Sequence, residues 1–426
     1  MIGAPPLDAV ATAWFVLLAL ATALLGWRRP AGVPCVLVLV DPFALTRYVG
    51  HTTLTSFKAA LVGGLVGLLA HGALRWPRER TARATLLVLL VLVAATAATI
   101  PHAALRAPAV RETLKAFEYL VVFAVAWAAA RGSADASRLF GLACGAAVVL
   151  VGVDALRDYL HPQSGLYVRN VPIVRLAGHL EGPNQLAAWL GLALPAAIAE
   201  IAAWPLMVAV LIVGGVVCAL TLSRGGIAQT AIALGGAVWS RGANRRVTVA
   251  VASLAVALAL GTLAFSTHTK GTITHVGSLR GSVDYGGTGT RAILWRAAVA
   301  MARAHPLLGV GAGNFELELP DYGAPPGVRT QANSLYLEAA ADGGLVLLIP
   351  TLLAALLPPV LLLRAGTARR LAFVAGVAGL ALAAHGVIDD VTFYTKVGQL
   401  WWVLAGVAAA SAGGSSSSPS ETPGTK

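Results

Sequence analysis

The chain has 426 residues, of which 57% are hydrophobic and 12% charged, with a mean hydropathy of +0.76; an ordinary soluble domain carries about 25% charged residues. This excludes a water-soluble globular fold, and apolar runs of about 18 to 22 residues recurring along nearly the whole length imply a polytopic membrane protein. The formal net charge of +12 comes from arginines scattered over short loops, a pattern that sets membrane orientation and argues against a nucleic-acid partner.

In chain order the expected spans are 9–26, 32–46, 57–74, 84–101, 112–130, 138–156, 184–202, 205–222, 225–240, 247–265, 344–363, 370–388 and 397–412. The fold class is therefore all-α, with 12–13 transmembrane helices in one domain, 1–412, and the weakest pattern at 32–46. Acidic or neutral residues precede the first run and no small-residue cleavage site follows it, so it reads as a retained helix. Cys35, Cys144 and Cys218 lie within apolar runs, where a thiol behaves as a small hydrophobe. Arginine-rich loops at 28–29, 75–83, 131–138, 241–246 and 364–370 fall on one side, which the positive-inside rule makes cytoplasmic. That side holds nearly all of the net charge; the opposite side is close to neutral and carries two long loops, 157–183 and 266–343. The tail, 413–426, is Gly/Ser/Pro/Thr-rich and is expected to be disordered and cytoplasmic.

Polar residues concentrate on the long-loop side. Ser223-Arg224-Gly225-Gly226 puts a guanidinium at the end of an apolar span, either snorkelling to lipid headgroups or binding a phosphate. The stretch 291–304 predicts an interfacial helix: Ile293, Leu294, Ala297, Ala298 and Met301 form its apolar side, and Arg291, Trp295 and Arg296 at its start anchor it or hold an anion. Gly309, Gly311 and Gly313 lack the final glycine and preceding strand of a nucleotide loop. In RTQANSLYLEAAADGG, Arg329 leads into a helix start where Asn333, Ser334 and Glu338 either cap or line an acceptor cavity. In RNVPIVRLAGHLEGPN, Arg175, His179 and Glu181 hold substrate or cap the following span. His385, Asp389 and Asp390 close the twelfth span, with His385 and Asp389 at i, i+4 spacing. His71, His102 and His161 have no evident partners and read as structural, and no zinc-like spacing occurs, so neither metal nor cofactor is expected.

Taken in order, GPNQLAAWLGLALP, LTLSRGG, RAILWRAAVAMARAHPLLGVGAGNF, NSLYLEAAADGG and HGVIDD resemble the O-antigen ligase and O-antigen polymerase superfamily over about 169–402. The resemblance implies a GT-C type membrane glycosyltransferase acting on the periplasmic face of the bacterial inner membrane. Its donor would be an undecaprenyl-diphosphate-linked glycan. A ligase transfers that glycan to lipid A-core, and a polymerase extends another lipid-linked glycan. By motif position Arg224 and Arg291 would hold the diphosphate, and Asp389 would match a late aspartate of the family. The family's His-Asn pair falls on Asn333 and Ser334, and a neutral amide takes no proton. Asn333 would then orient the acceptor hydroxyl, or Glu338, Glu181 or His179 would remove its proton. Arg175, His179, Glu181, Trp295, Arg296, Arg329 and Glu338 complete the expected substrate-binding set. A protein-directed oligosaccharyltransferase would carry a further C-terminal segment, and a glycan transporter would carry charges deep in several spans rather than at one face.

Overall fold

A computed structural model describes residues 7–49, 52–160, 175–242, 288–324 and 328–413, with isolated positions 246, 249, 250 and 253. The first half comprises α1 (Ala9–Arg28), α2 (Val33–Val40), β1 (Thr46–Val49), β2 (Thr52–Thr55), α3 (Ser56–His71), α4 (Arg80–Ala98), α5 (Arg106–Ala130) and α6 (Ala136–Leu160). The second comprises α7 (Pro183–Glu200), α8 (Trp204–Leu220), α9 (Arg224–Ser240), α10 (Thr288–Ala304), α11 (Phe315–Glu318), α12 (Leu335–Leu363), α13 (Arg370–His385) and α14 (Thr395–Gly413). Among the described residues, α1, α4 with its 3-10 extension to His102, α5, α6 and α12 are long and apolar enough to cross a membrane. The chain is an all-α polytopic membrane protein.

The expected second span is not one helix: α1 and α3 run parallel, with Trp14 meeting Ser56 at their starts and Trp27 meeting His71 at their ends, so 29–55 returns between them by other means. Only eight residues, Val33–Val40, are α-helical there, a rise of about 12 Å against a bilayer core of about 30 Å. Asp41-Pro42 ends the apolar pattern, and the β-branched TRYV and TTLT segments then pair as an antiparallel hairpin with Thr46 opposite Thr55. The expected span 247–265 and the tail beyond Gly413 lie outside the described residues, apart from the isolated positions.

Helix α7 is the centre of the bundle: from Gln185 to Ala199 every residue is buried, against α6, α8, α9, α13 and α14. Its polar atoms are matched from neighbouring elements, with Trp189 Nε1 donating to Asp41 Oδ2 at 2.8 Å and Gln229 Nε2 to the Ala188 carbonyl at 3.0 Å. At its far end Arg241 donates to the carbonyls of Ile198 and Ile201, satisfying groups that a helix C-terminus leaves open. Gly63 and Gly67 of α3 lie on the backbone of Ala19 and Ala23 of α1, the close approach that a small-xxx-small spacing permits. The outer side of α1 exposes Val10, Leu17, Leu20 and Leu24, a surface suited to lipid.

The long-loop face is built around a break in α12. Gly344 adopts φ 55° and ψ −149°, which only glycine tolerates easily, and interrupts the helical ladder. The segment after α10 takes up the freed groups: Val310 and Gly311 donate to the carbonyls of Ala341 and Asp342, and Leu345 and Val346 donate to those of Pro306 and Leu307. A Cβ on Gly309 or Gly344 would strike the opposing backbone. Asn314 fixes the same segment to the start of α5 by accepting from Leu105 N at 2.8 Å and donating to its carbonyl at 3.1 Å. The glycines of LLGVGAGN thus serve backbone packing.

Candidate active site

The site grows from the turn between α8 and α9. Leu222 has φ 53°, and Ser223 Oγ accepts from Gly226 N at 3.3 Å, capping α9 with Arg224 exposed as its first residue. A Cβ on Gly225 would overlap the His385 ring and one on Gly226 would overlap Ala187, so the turn sits tightly between the end of α13 and the start of α7. The segment before α7 lies along it: Leu176 N donates to the Leu220 carbonyl at 3.1 Å and Arg175 Nε to the Thr221 carbonyl at 2.9 Å.

From Arg175 a chain of polar contacts crosses the site. Arg175 Nη2 donates to Asn184 Oδ1 at 2.8 Å, Asn184 Nδ2 donates to Asp389 Oδ2 at 2.5 Å, and Arg291 Nη2 lies 3.5 Å from the same oxygen. Asn184 serves because an amide both accepts and donates, joining a cation to a carboxylate. Asp389 lies beyond the end of α13 and is buried; burial pushes its carboxyl above the usual range, while the Arg291 guanidinium beside it pulls the other way. Arg291 Nε and, one turn on, Trp295 Nε1 are buried donors without an acceptor among the described residues. Such a donor costs about 1–3 kcal/mol unless matched, and an anionic oxygen would match both.

Four residues expected from the sequence thus meet in one region: Arg175, Arg291 and Asp389 by direct contact or through Asn184, and Trp295 on the same helix. Asn333 has φ 52° and its Nδ2 reaches the Gln331 carbonyl at 3.4 Å, just before α12, whose Leu335 N donates to the Gly386 carbonyl. Glu338 is buried and accepts from Ala332 N at 2.9 Å.

Other expected residues have different partners. His179 Nδ1 is 2.5 Å from Asp154 Oδ2, and Glu181 Oε1 is 3.6 Å from Lys396 Nζ, which also donates to the His179 carbonyl. Arg296 is exposed and folds back on the Ala292 carbonyl of its own helix, and exposed Arg329 lies within electrostatic reach of Glu316. The apolar side of α10 exists as expected, but protein covers it: Leu294, Ala297, Ala298 and Met301 are buried with Val310, Phe315, Leu319 and Ala332. His385 does not pair with the Asp389 side chain; α13 ends at His385, whose Nδ1 faces Gln229 Oε1 at 2.9 Å.

Sequence reasoning missed Asn184 as a link, together with Glu112 and Lys115, which lie 3.1 Å apart on α5. The signal for that pair was present, since ionisable residues inside an apolar span are functional candidates by default.

Residues 208–352, from within α8 to within α12, match a family model described as O-Antigen ligase. The match takes in Arg224, Arg291, Asn333 and Glu338 and supports the O-antigen ligase and polymerase superfamily. No curated protein matches the sequence.

Proposed function

We propose that the chain is an inverting O-antigen ligase: it takes a glycan from undecaprenyl diphosphate on the periplasmic face of the inner membrane and transfers it to lipid A-core, without metal. The observation that carries this reading is the Arg175–Asn184–Asp389–Arg291 chain, with two unmatched donors, Arg291 Nε and Trp295 Nε1, on one face of α10. The family match supports ligase or polymerase activity in general.

The chemistry follows from charge. As the anomeric bond breaks, negative charge grows on the leaving diphosphate, and positioned guanidiniums in a water-poor site stabilise it. Asp389 holds Arg291 in place and Asn184 relays that constraint to Arg175; Arg224, at the exposed N-terminus of α9, adds a third cation and an end of helix dipole. Arg224→Ala and Arg291→Ala each abolish transfer in purified, folded protein supplied with lipid-linked glycan and lipid A-core. Normal rates in both would remove the diphosphate clamp. The second reading is a polymerase, favoured by Asn333 at the position of the family's histidine; it predicts growth of lipid-linked chains with no lipid A-core present.

A further inference from the structure

Asp389 also lines a cavity of about 190 Å³ bordered by α4, α5, α12, α13 and α14. Its wall is apolar toward Leu347 and Trp401 and carboxylate-rich at the end where Glu112, Glu338, Asp342, Asp389 and Asp390 meet. The volume is below the roughly 300–1,000 Å³ of sites for drug-sized ligands, so it suits one small polar group such as a single sugar ring. Carboxylates accept hydrogen bonds from hydroxyls and would repel a diphosphate, so the cavity suits a hydroxyl-bearing group rather than the diphosphate.

Most of these carboxylates are engaged. Both oxygens of Asp342 accept backbone N–H groups, from Gly313 at 2.7 Å and Phe315 at 2.9 Å. Asp390 Oδ1 accepts from the backbone and hydroxyl of Thr392. Glu112 is paired with Lys115, which also donates to the Phe393 carbonyl at 2.8 Å. Asp389 is held by Asn184 and Arg291. Glu338 is 7% exposed and lines the cavity; like Glu112, Asp389 and Asp390 it is engaged through one oxygen, Oε2, which accepts from Ala332 N, but among the described residues it has neither the cation of the first two nor the hydroxyl of the third. Its bond to Ala332 places it beside Asn333, an amide that takes no proton.

We propose that this cavity receives the sugar hydroxyl of the acceptor and that Glu338 takes its proton. The assignment rests on the transfer reading above. The hydroxyl oxygen bonds to the anomeric carbon, the bond from that carbon to the diphosphate oxygen breaks with its electron pair leaving on the diphosphate, and the hydroxyl proton passes to Glu338 Oε1. Asp390, Lys115 and Leu335 line the pocket around that exchange.

The test uses the full chain in detergent, with undecaprenyl diphosphate as the binding probe and lipid-linked glycan, with or without lipid A-core, as substrate. Glu338→Gln keeps an oxygen for Ala332 N, so it folds; it is expected to bind undecaprenyl diphosphate within about twofold of the unaltered chain while transfer falls about 100-fold or more. Glu338→Ala is equally slow, and added formate restores part of its rate by supplying a carboxylate to the emptied position. A Gln variant that transfers at nearly the original rate overturns the assignment and leaves the transfer reading standing, as does an Ala variant that formate fails to rescue. An unaltered chain that binds the probe but transfers to neither acceptor overturns both.

Discussion

Asn184 is one amide between two charges, and its removal tests whether the site works as a unit. Asn184→Ala keeps Arg291 beside Asp389 but cuts Arg175 from both, and transfer is expected to fall about tenfold to 100-fold with the fold intact, measured as rate against melting midpoint. Asp389 gives a pH-dependent test. Its folded-state carboxyl titrates above the ordinary aspartate value of about 3.9, so ionising it works against folding. Stability from this group is whole below the unfolded value and is lost as pH rises through the folded one. Arg291→Gln removes the main opposing charge and moves the folded value further up. The variant's melting midpoint should therefore fall increasingly below that of the unaltered chain as pH rises through the folded value; parallel curves would mean that Arg291 does not act on Asp389. Arg291 and Asp389, which the structure brings together, stand out in the sequence as charges beside apolar stretches, where each needs a reason. Asn184 was not, because Pro-Asn at a helix start already has a local explanation in capping, and its contact with Asp389 spans 205 positions.

At the scale of elements, the break at Gly344 decides how the loop face is built. Gly344→Ala would place a Cβ against the Leu307 backbone in a conformation that alanine resists, at a cost of about 3 kcal/mol or more, seen as a lowered melting midpoint in detergent. Gly235→Ala is the control: its Cβ meets nothing within 4 Å on an exposed side of α9, and alanine there stabilises a helix by about 0.5–1 kcal/mol. Equal effects at the two positions would deny the kink its role. The sequence pattern located this helix but began its span at 344, because hydropathy records where apolar residues run and not where the backbone turns. The glycines at 309, 311 and 313 were likewise visible but their purpose was not, since close approach depends on a segment about 30 residues away for Gly309 and about 200 away for Gly311 and Gly313. At 32–46 the pattern overextended the helix: average hydropathy outweighed Asp41, the charge that ends it and accepts from Trp189.

For the whole molecule, the apolar bundle and the alternation of arginine-rich loops carry the topology. A cysteine in place of Asp321, exposed between α11 and α12, should react with a membrane-impermeant maleimide from the periplasmic side, and one in place of Ser133, exposed between α5 and α6, should be protected. The reverse pattern would place the site in the cytoplasm and rule out the proposed donor side. Within that frame Asp389 both meets Arg291 and lines the carboxylate cavity, so the proposed donor and acceptor sites adjoin at one residue. The central claim is tested most directly by supplying purified chain with undecaprenyl-diphosphate-linked glycan, with lipid A-core in one tube and only more lipid-linked glycan in another. A ligase gives a single-step shift of lipid A-core in the first tube and no lengthening in the second. A ladder of longer lipid-linked chains would contradict the ligase assignment in favour of a polymerase, and no new glycosidic bond in either tube would contradict glycan transfer itself.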